Sequence, residues 1–141
     1  MNDLTFAIIK PDAVKNNHTG KIYDHILSNN FQVLSAKLIK MTKEQAEGFY
    51  AIHRGKPFFE ELTIFMSSAK CMVLALKKEN AVQEWRNTIG STNPQEADDG
   101  TIRKLYATSL GENAVHGSDS NENAKKEIAF FFTDSELIMN N

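Results

Sequence analysis

A chain of 141 residues, 41% hydrophobic and 24% charged, has the length of one domain with its own core and the composition of neither a disordered nor a collagen-like chain. Its net charge of -2 leaves little long-range attraction for nucleic acid or an anionic membrane, so any phosphate site must be built locally. The one cysteine, Cys71, excludes a disulfide within the chain and points to a reducing compartment. The longest uninterrupted apolar run, Cys71–Leu76, is far below the ~18 residues of a membrane span. Met1-Asn2-Asp3-Leu4 lacks the basic stretch of a leader, and a cytoplasmic domain covering residues 1–141 is expected.

In chain order, Leu4–Ile9 reads as a short apolar strand, turned by Lys10-Pro11 because proline cannot extend a central ladder. Gly20–Asn29 reads as a helix with Ile22, Ile26 and Leu27 on one side. Phe31–Met41 reads as a long strand in which Leu34, Ala36 and Leu38 alternate with Ser35 and Lys37. Thr42, with Gln45 three residues on, has the pattern of a capping box opening a helix to about His53. Gly55-Lys56-Pro57 breaks it, and Phe58–Ser67 predicts a further helix. Ala69–Leu76 is apolar on both faces and predicts a central strand, and Asn80–Ile89 a helix that buries Ala81, Val82, Trp85 and Ile89.

Gly90–Gly100 is the longest polar, turn-rich stretch, and a loop of that length in a compact domain is usually functional or mobile. A short helix at Thr101–Tyr106, an extended piece around His116 and a helix from about Asn121 to Phe131 complete the chain. The order predicts an α+β, ferredoxin-like βαββαβ architecture: a four-stranded antiparallel sheet with helices packed on one face and helical additions.

Of the four histidines, His18, His25 and His53 sit in helices or their approaches with nothing distinctive beside them. His116 differs. It lies in Asn113-Ala114-Val115-His116-Gly117-Ser118-Asp119-Ser120, where glycine permits close approach, serines supply hydroxyls and a helix start offers free N–H groups to an anion. Imidazole is among the few side chains that can accept a phosphoryl group and return it. No second histidine or cysteine sits at zinc-ligand spacing, and no G-x-S-x-G elbow marks a serine hydrolase.

The N-x-x-H-G-S-D-S run resembles the active-site signature of nucleoside diphosphate kinases. The resemblance extends from Lys10-Pro11-Asp12 to Glu127 without large gaps. It implies a ping-pong transfer of the γ-phosphate from a nucleoside triphosphate, typically ATP, to a nucleoside diphosphate through phosphohistidine at His116. It further implies that Lys10 reaches the sugar hydroxyl and γ-phosphate region, that Arg86 and Arg103 clamp the phosphates and that Thr92 hydrogen-bonds them. Phe58 would stack on the base whatever its identity, giving a broad base range. Tyr50 would lie near the histidine and phosphates, Asn113 would contact the ribose 3′-hydroxyl, and Glu127 would orient His116 with Ser118 as its hydrogen-bond partner.

Mg²⁺ would bridge phosphate oxygens and arrive with the nucleotide, since the sequence shows no carboxylate cluster built to hold it. The chain departs from the family's usual pattern at Asp99-Gly100, where Pro-Gly is common, and at Lys104-Leu105, where Gly-Asp or Ala-Asp is common. Its short C-terminal end resembles bacterial members and leans towards a homo-tetramer rather than a hexamer. Two other readings compete: a non-catalytic nucleotide-binding regulator, which would need a broken site, and an RNA-binding module of the same βαββαβ theme. The acidic balance and the lack of a basic aromatic strand face oppose the second.

Overall fold

The structure, a computed structural model, describes residues 2–140, with side chains as far as Ile138. Met1, where the leader was sought, and Asn141, the last residue, lie outside the described residues. The mostly apolar β1 (Leu4–Ile9) is buried on both sides of the strand. It lies between β3 (Cys71–Lys77) and β4 (Val115–Gly117), and β2 (Gln32–Ile39) pairs with the other edge of β3. The order β2-β3-β1-β4 is antiparallel throughout.

Alternate residues of β1 and β3 enter two different cores. Ala7, Ile9, Leu74 and Leu76 pack with Ile22 and Ile26 of α2 (Thr19–Ser28) and with Trp85 and Ile89 of α5 (Ala81–Ile89). Phe6, Ile8, Val73 and Ala75 pack with Ala46 of α3 (Lys43–Phe49), Met66 of α4 (Phe59–Met66) and Ile128 of α7 (Asn121–Phe131). Helices therefore cover both faces of the sheet rather than the single face expected. A strand apolar on both sides leaves no face for water, so each face needs its own layer.

A bulge at Val33/Ser35 changes the expected alternation of β2. Leu34 is the extra residue and joins the α3/α4/α7 core, whereas Ala36, paired with Leu74, packs on the other side. The expected helix from Thr42 ends at Phe49, followed by a 3₁₀ turn at Ala51–His53. The capping box forms as read: the Gln45 N–H donates to Thr42 Oγ1 at 3.0 Å, and the Thr42 N–H donates to Gln45 Oε1 at 2.9 Å.

Two helices were not anticipated. Pro11 does not merely turn the chain: its fixed φ suits the first turn of α1 (Pro11–Lys15). After Phe131, α8 (Asp134–Asn140) starts from Thr133, whose N–H donates to Glu136 Oε1 at 2.9 Å while the Glu136 N–H donates to Thr133 Oγ1 at 3.3 Å. This is a second capping box, legible as Thr-x-x-Glu. Across the sheet, α6 (Ile102–Tyr106) follows the long loop and is capped by Thr101.

Candidate active site

β4 is a three-residue edge strand, and its register decides where His116 goes. Val115 opposes Ile9 and enters one core, while His116 opposes Ile8 and turns towards the other face. There its ring meets those of Phe6, Phe49 and Tyr50, with centroids 6.0, 5.6 and 6.4 Å away. The outer edge of β4 is closed by Trp85, whose indole N–H donates to the His116 carbonyl at 3.1 Å. Glycine at 117 makes this fit possible, because a Cβ there would lie 2.8 Å from Trp85 Cδ1.

Behind the histidine stands Glu127, placed by α7, whose start is capped by Ser120 accepting from the Asn123 N–H at 3.1 Å. His116 Nε2 is 2.9 Å from Glu127 Oε1, and the buried Ser118 hydroxyl donates to the same oxygen at 2.7 Å. A carboxylate only accepts, so Nε2 carries a proton, and in the neutral ring Nδ1 is then the nitrogen with the lone pair.

In front of His116 lies a cleft of about 740 Å³ lined by Lys10, Arg86, Thr92, Arg103, Asn113 and His116, with Glu96 and Asp98 at the long loop. Six of the residues singled out in the sequence thus share one wall system, drawn from the junction of β1 and α1, α5, the 90–101 loop, α6 and β4 with its approach. Lys10 Nζ donates to Asn113 Oδ1 at 2.9 Å, and Asn113 Nδ2 donates to the Thr92 carbonyl at 3.3 Å, so the asparagine bridges the lysine and the loop.

Arg103 is buried and bound to three carbonyls: Nε to Asn113 at 3.3 Å, Nη1 to Gly90 at 3.0 Å and Nη2 to Val115 at 2.9 Å. Of its five N–H donors, about two stay available to a ligand. Arg86 makes no side-chain hydrogen bond to any described residue and meets Asp119 only through its charge, so its fork is open to the cleft. Burial, with Arg103 next to it, lowers Lys10 from 10.5 to about 8 against the opposing pull of Asp12. Burial, with Arg86 nearby, lowers Arg103 to about 10. Lys10 and Arg103 are thus buried cations that an anionic ligand in the cleft would stabilise.

Tyr50 and Phe58 sit to one side. The Tyr50 hydroxyl is buried without a hydrogen-bond partner among the described residues, and burial pushes its pKa up. A file of rings runs outward from it: His53 at 6.4 Å, then Phe58, half exposed, 5.3 Å from His53. His53, unremarkable in the sequence, is a residue the sequence reading missed. Lys56 Nζ lies 3.3 Å from its Nδ1, and burial first, then Lys56, lowers its pKa, with His116 adding to the same shift. Its place beside Phe58 in His53-Arg54-Gly55-Lys56-Pro57-Phe58 was the only available signal. Among the described residues no group of three His, Cys, Asp or Glu side chains converges on a metal position.

The sequence model of the nucleoside diphosphate kinase family matches residues 3–137. A nucleoside diphosphate kinase of Phenylobacterium zucineum is 54% identical over 138 residues, which cover 98% of this chain and 99% of that one. A Wolbachia nucleoside diphosphate kinase is 54% identical over 134 residues, covering 95% and 96%. Among solved structures, the Aquifex aeolicus nucleoside diphosphate kinase superposes with a TM-score of 0.94 at 40% identity, covering 96% of this chain and 98% of that one. A halophilic nucleoside diphosphate kinase from Halobacterium salinarum, solved in complex with CDP, superposes with a TM-score of 0.91 at 34% identity, covering 97% and 91%. With a four-stranded sheet matching these folds and a histidine facing a cationic cleft, the chain belongs to the nucleoside diphosphate kinase family, enzymes that pass the γ-phosphate of a nucleoside triphosphate to a nucleoside diphosphate.

Proposed function

We propose that His116 carries the phosphoryl group in this reaction. The observation that supports it most is the anchoring of His116 Nε2 on Glu127 Oε1 at 2.9 Å, which leaves Nδ1 as the nucleophile beside a cationic cleft. Nδ1 attacks the γ-phosphorus in line. The bond from that phosphorus to the β–γ bridging oxygen breaks, and the diphosphate leaves with the electron pair. A terminal oxygen of the second diphosphate then attacks the phosphohistidine, the P–N bond breaks, and Nδ1 recovers its lone pair.

Glu127 stabilises the positive charge that develops on the ring, and Ser118 holds Glu127. Lys10, Arg86, Arg103 and Thr92 offset the phosphate charge, and Asn113 meets the sugar hydroxyl. Phe58 offers a half-exposed ring to the base, a contact indifferent to base identity. Tyr50 supports the His116 ring from the side. Mg²⁺, when bound, would be held through the nucleotide's phosphates and would supply further positive charge beside Lys10, Arg86 and Arg103, since among the described residues no group of three His, Cys, Asp or Glu side chains could hold it. The chain works as one domain over residues 1–141, in the cytoplasm, as a homo-oligomer, with a tetramer preferred to a hexamer. No helix among the described residues is long and apolar enough to cross a membrane.

The test is incubation with γ-labelled ATP and Mg²⁺, with and without excess GDP. The expected label stays on the protein, resists alkali, is lost in acid and is chased onto GDP. His116→Ala should stay unlabelled while still binding ADP. Labelling that persists in His116→Ala would remove the assignment.

A further inference from the structure

Lys10, Asn113 and His116 belong to two short segments, residues 10–12 and 113–117, that are held together at one unusual residue. Ala114 has φ +72°, a left-handed conformation that alanine rarely adopts. Both of its backbone groups are engaged by the first segment. The Lys10 N–H donates to the Ala114 carbonyl at 2.8 Å, and the Ala114 N–H donates to Asp12 Oδ2 at 3.0 Å. Asp12 is almost wholly buried, and its other oxygen, Oδ1, lies buried without a hydrogen-bond partner among the described residues.

A buried carboxylate with one unused oxygen is costly unless its charge is needed where it is. The strained turn it holds sits between the side chain that bonds Lys10 and the strand that presents His116. We propose that Asp12 is a positioning residue of this site, holding Ala114 in its left-handed turn so that Asn113 and His116 face the cleft, and supplying the negative charge that keeps Lys10 a cation. The proposal rests on the reading of Lys10 as a phosphate-binding cation.

The electrostatics around the pair point the same way. The burial of Lys10 opposes its charge most, Arg103 adds to that, and Asp12 is the carboxylate that favours it. Asp12 is itself held above its ordinary range by burial, with Glu112 adding to that rise and Lys10 and the Ala114 N–H opposing it. Arg86, Glu96, Asp98 and His116 line the rest of the cleft. Lys10 therefore stands close to losing its proton, at about 8, with Asp12 as the opposing influence.

Asp12→Asn separates the two roles, because its amide oxygen can still accept from the Ala114 N–H while the charge is gone. ADP affinity measured from pH 6 to 10 reads Lys10 without turnover, and single-turnover labelling by γ-labelled ATP reads His116. In the unaltered protein ADP affinity should fall as pH rises through about 8. In Asp12→Asn that fall should begin about one pH unit lower, with labelling at pH 6.5 within about threefold of the unaltered rate. Asp12→Ala, losing both roles, should label at least tenfold more slowly at every pH.

An Asp12→Asn profile that superposes on the unaltered one overturns the charge role even if Asp12→Ala fails to fold. Asp12→Ala that melts earlier yet labels at the unaltered rate makes Asp12 merely structural and overturns the positioning role. Unaltered protein whose ADP affinity ignores pH between 7 and 9 has a Lys10 charged throughout and overturns the charge role, whereas Lys10→Met that binds ADP as tightly as the unaltered protein sinks the reading of Lys10, and the proposal with it. That result is distinct from a shift missing only in Asp12→Asn.

Discussion

Arg86 and Arg103 share the cleft and differ in what holds them. Arg103 ties the Gly90, Asn113 and Val115 carbonyls together, whereas Arg86 bonds nothing in the protein described. Arg86→Ala should therefore remove charge-assisted hydrogen bonds to phosphate, each worth about 1.5–3 kcal/mol, and lower kcat/KM by about 10–100-fold. Its unfolding free energy should change by no more than about 0.5 kcal/mol. Arg103→Ala removes a donor from three carbonyls, of which Asn113's keeps the Val115 N–H, and should cost about 2 kcal/mol or more of stability besides the loss of rate. Urea titration and steady-state kinetics on the two variants check the contrast. Equal stability loss in both would refute it. One residue type, expected twice as a phosphate clamp from the resemblance, divides in the fold into a cleft-lining residue and one that also braces the backbone.

At the scale of elements, the site depends on short pieces fixed by neighbours rather than on long helices. β4 has three residues and exists because β1 pairs with it and Trp85 closes its edge. By contrast, α8 lies over β2, at the opposite side of the sheet from β4, where Lys37 Nζ meets Glu136 at 2.9 Å and donates to the Phe131 carbonyl at 2.7 Å. Thr133→Ala removes the cap of α8 and should cost about 0.5–2 kcal/mol. Amide exchange should rise in residues 134–138, and kcat/KM should stay within about twofold. A large drop in kcat/KM would mean that α8 is coupled to the cleft through the sheet.

For the whole molecule, pH acts through the buried cations. Lys10 is lowered from 10.5 to about 8, so between those values the unfolded chain binds more protons than the fold does. Stability from this group therefore rises with pH across about 8 to 10.5, and the charged, buried lysine costs the fold stability below that window. A bound polyphosphate reverses the preference by supplying the missing anion. Nucleotide binding near pH 8–8.5 should take up protons, visible as a dependence of the calorimetric enthalpy on the buffer's ionisation enthalpy. Lys10→Met should abolish that uptake. Buffer-independent enthalpies in the unaltered protein would show that Lys10 is fully charged before the nucleotide arrives.

Local signals in the sequence determined much of this protein. The apolar runs of β1 and β3, the Thr42–Gln45 box and the stripe of Ala81, Val82, Trp85 and Ile89 fix their elements by periodicity and capping, which act over a few residues. The His116 run and the order of the other site residues named the family for the same reason, since a motif is local. Relations between distant segments were not legible. The second covered face of the sheet, the bulge at Leu34 and the different partners of two arginines arise from packing between residues tens of positions apart. Asp12 against Ala114, 102 residues away, is the clearest case. In the sequence Asp12 is the third letter of a turn, and only tertiary structure gives its carboxylate the Ala114 N–H to hold, because hydrogen bonds and burial depend on what folding brings alongside.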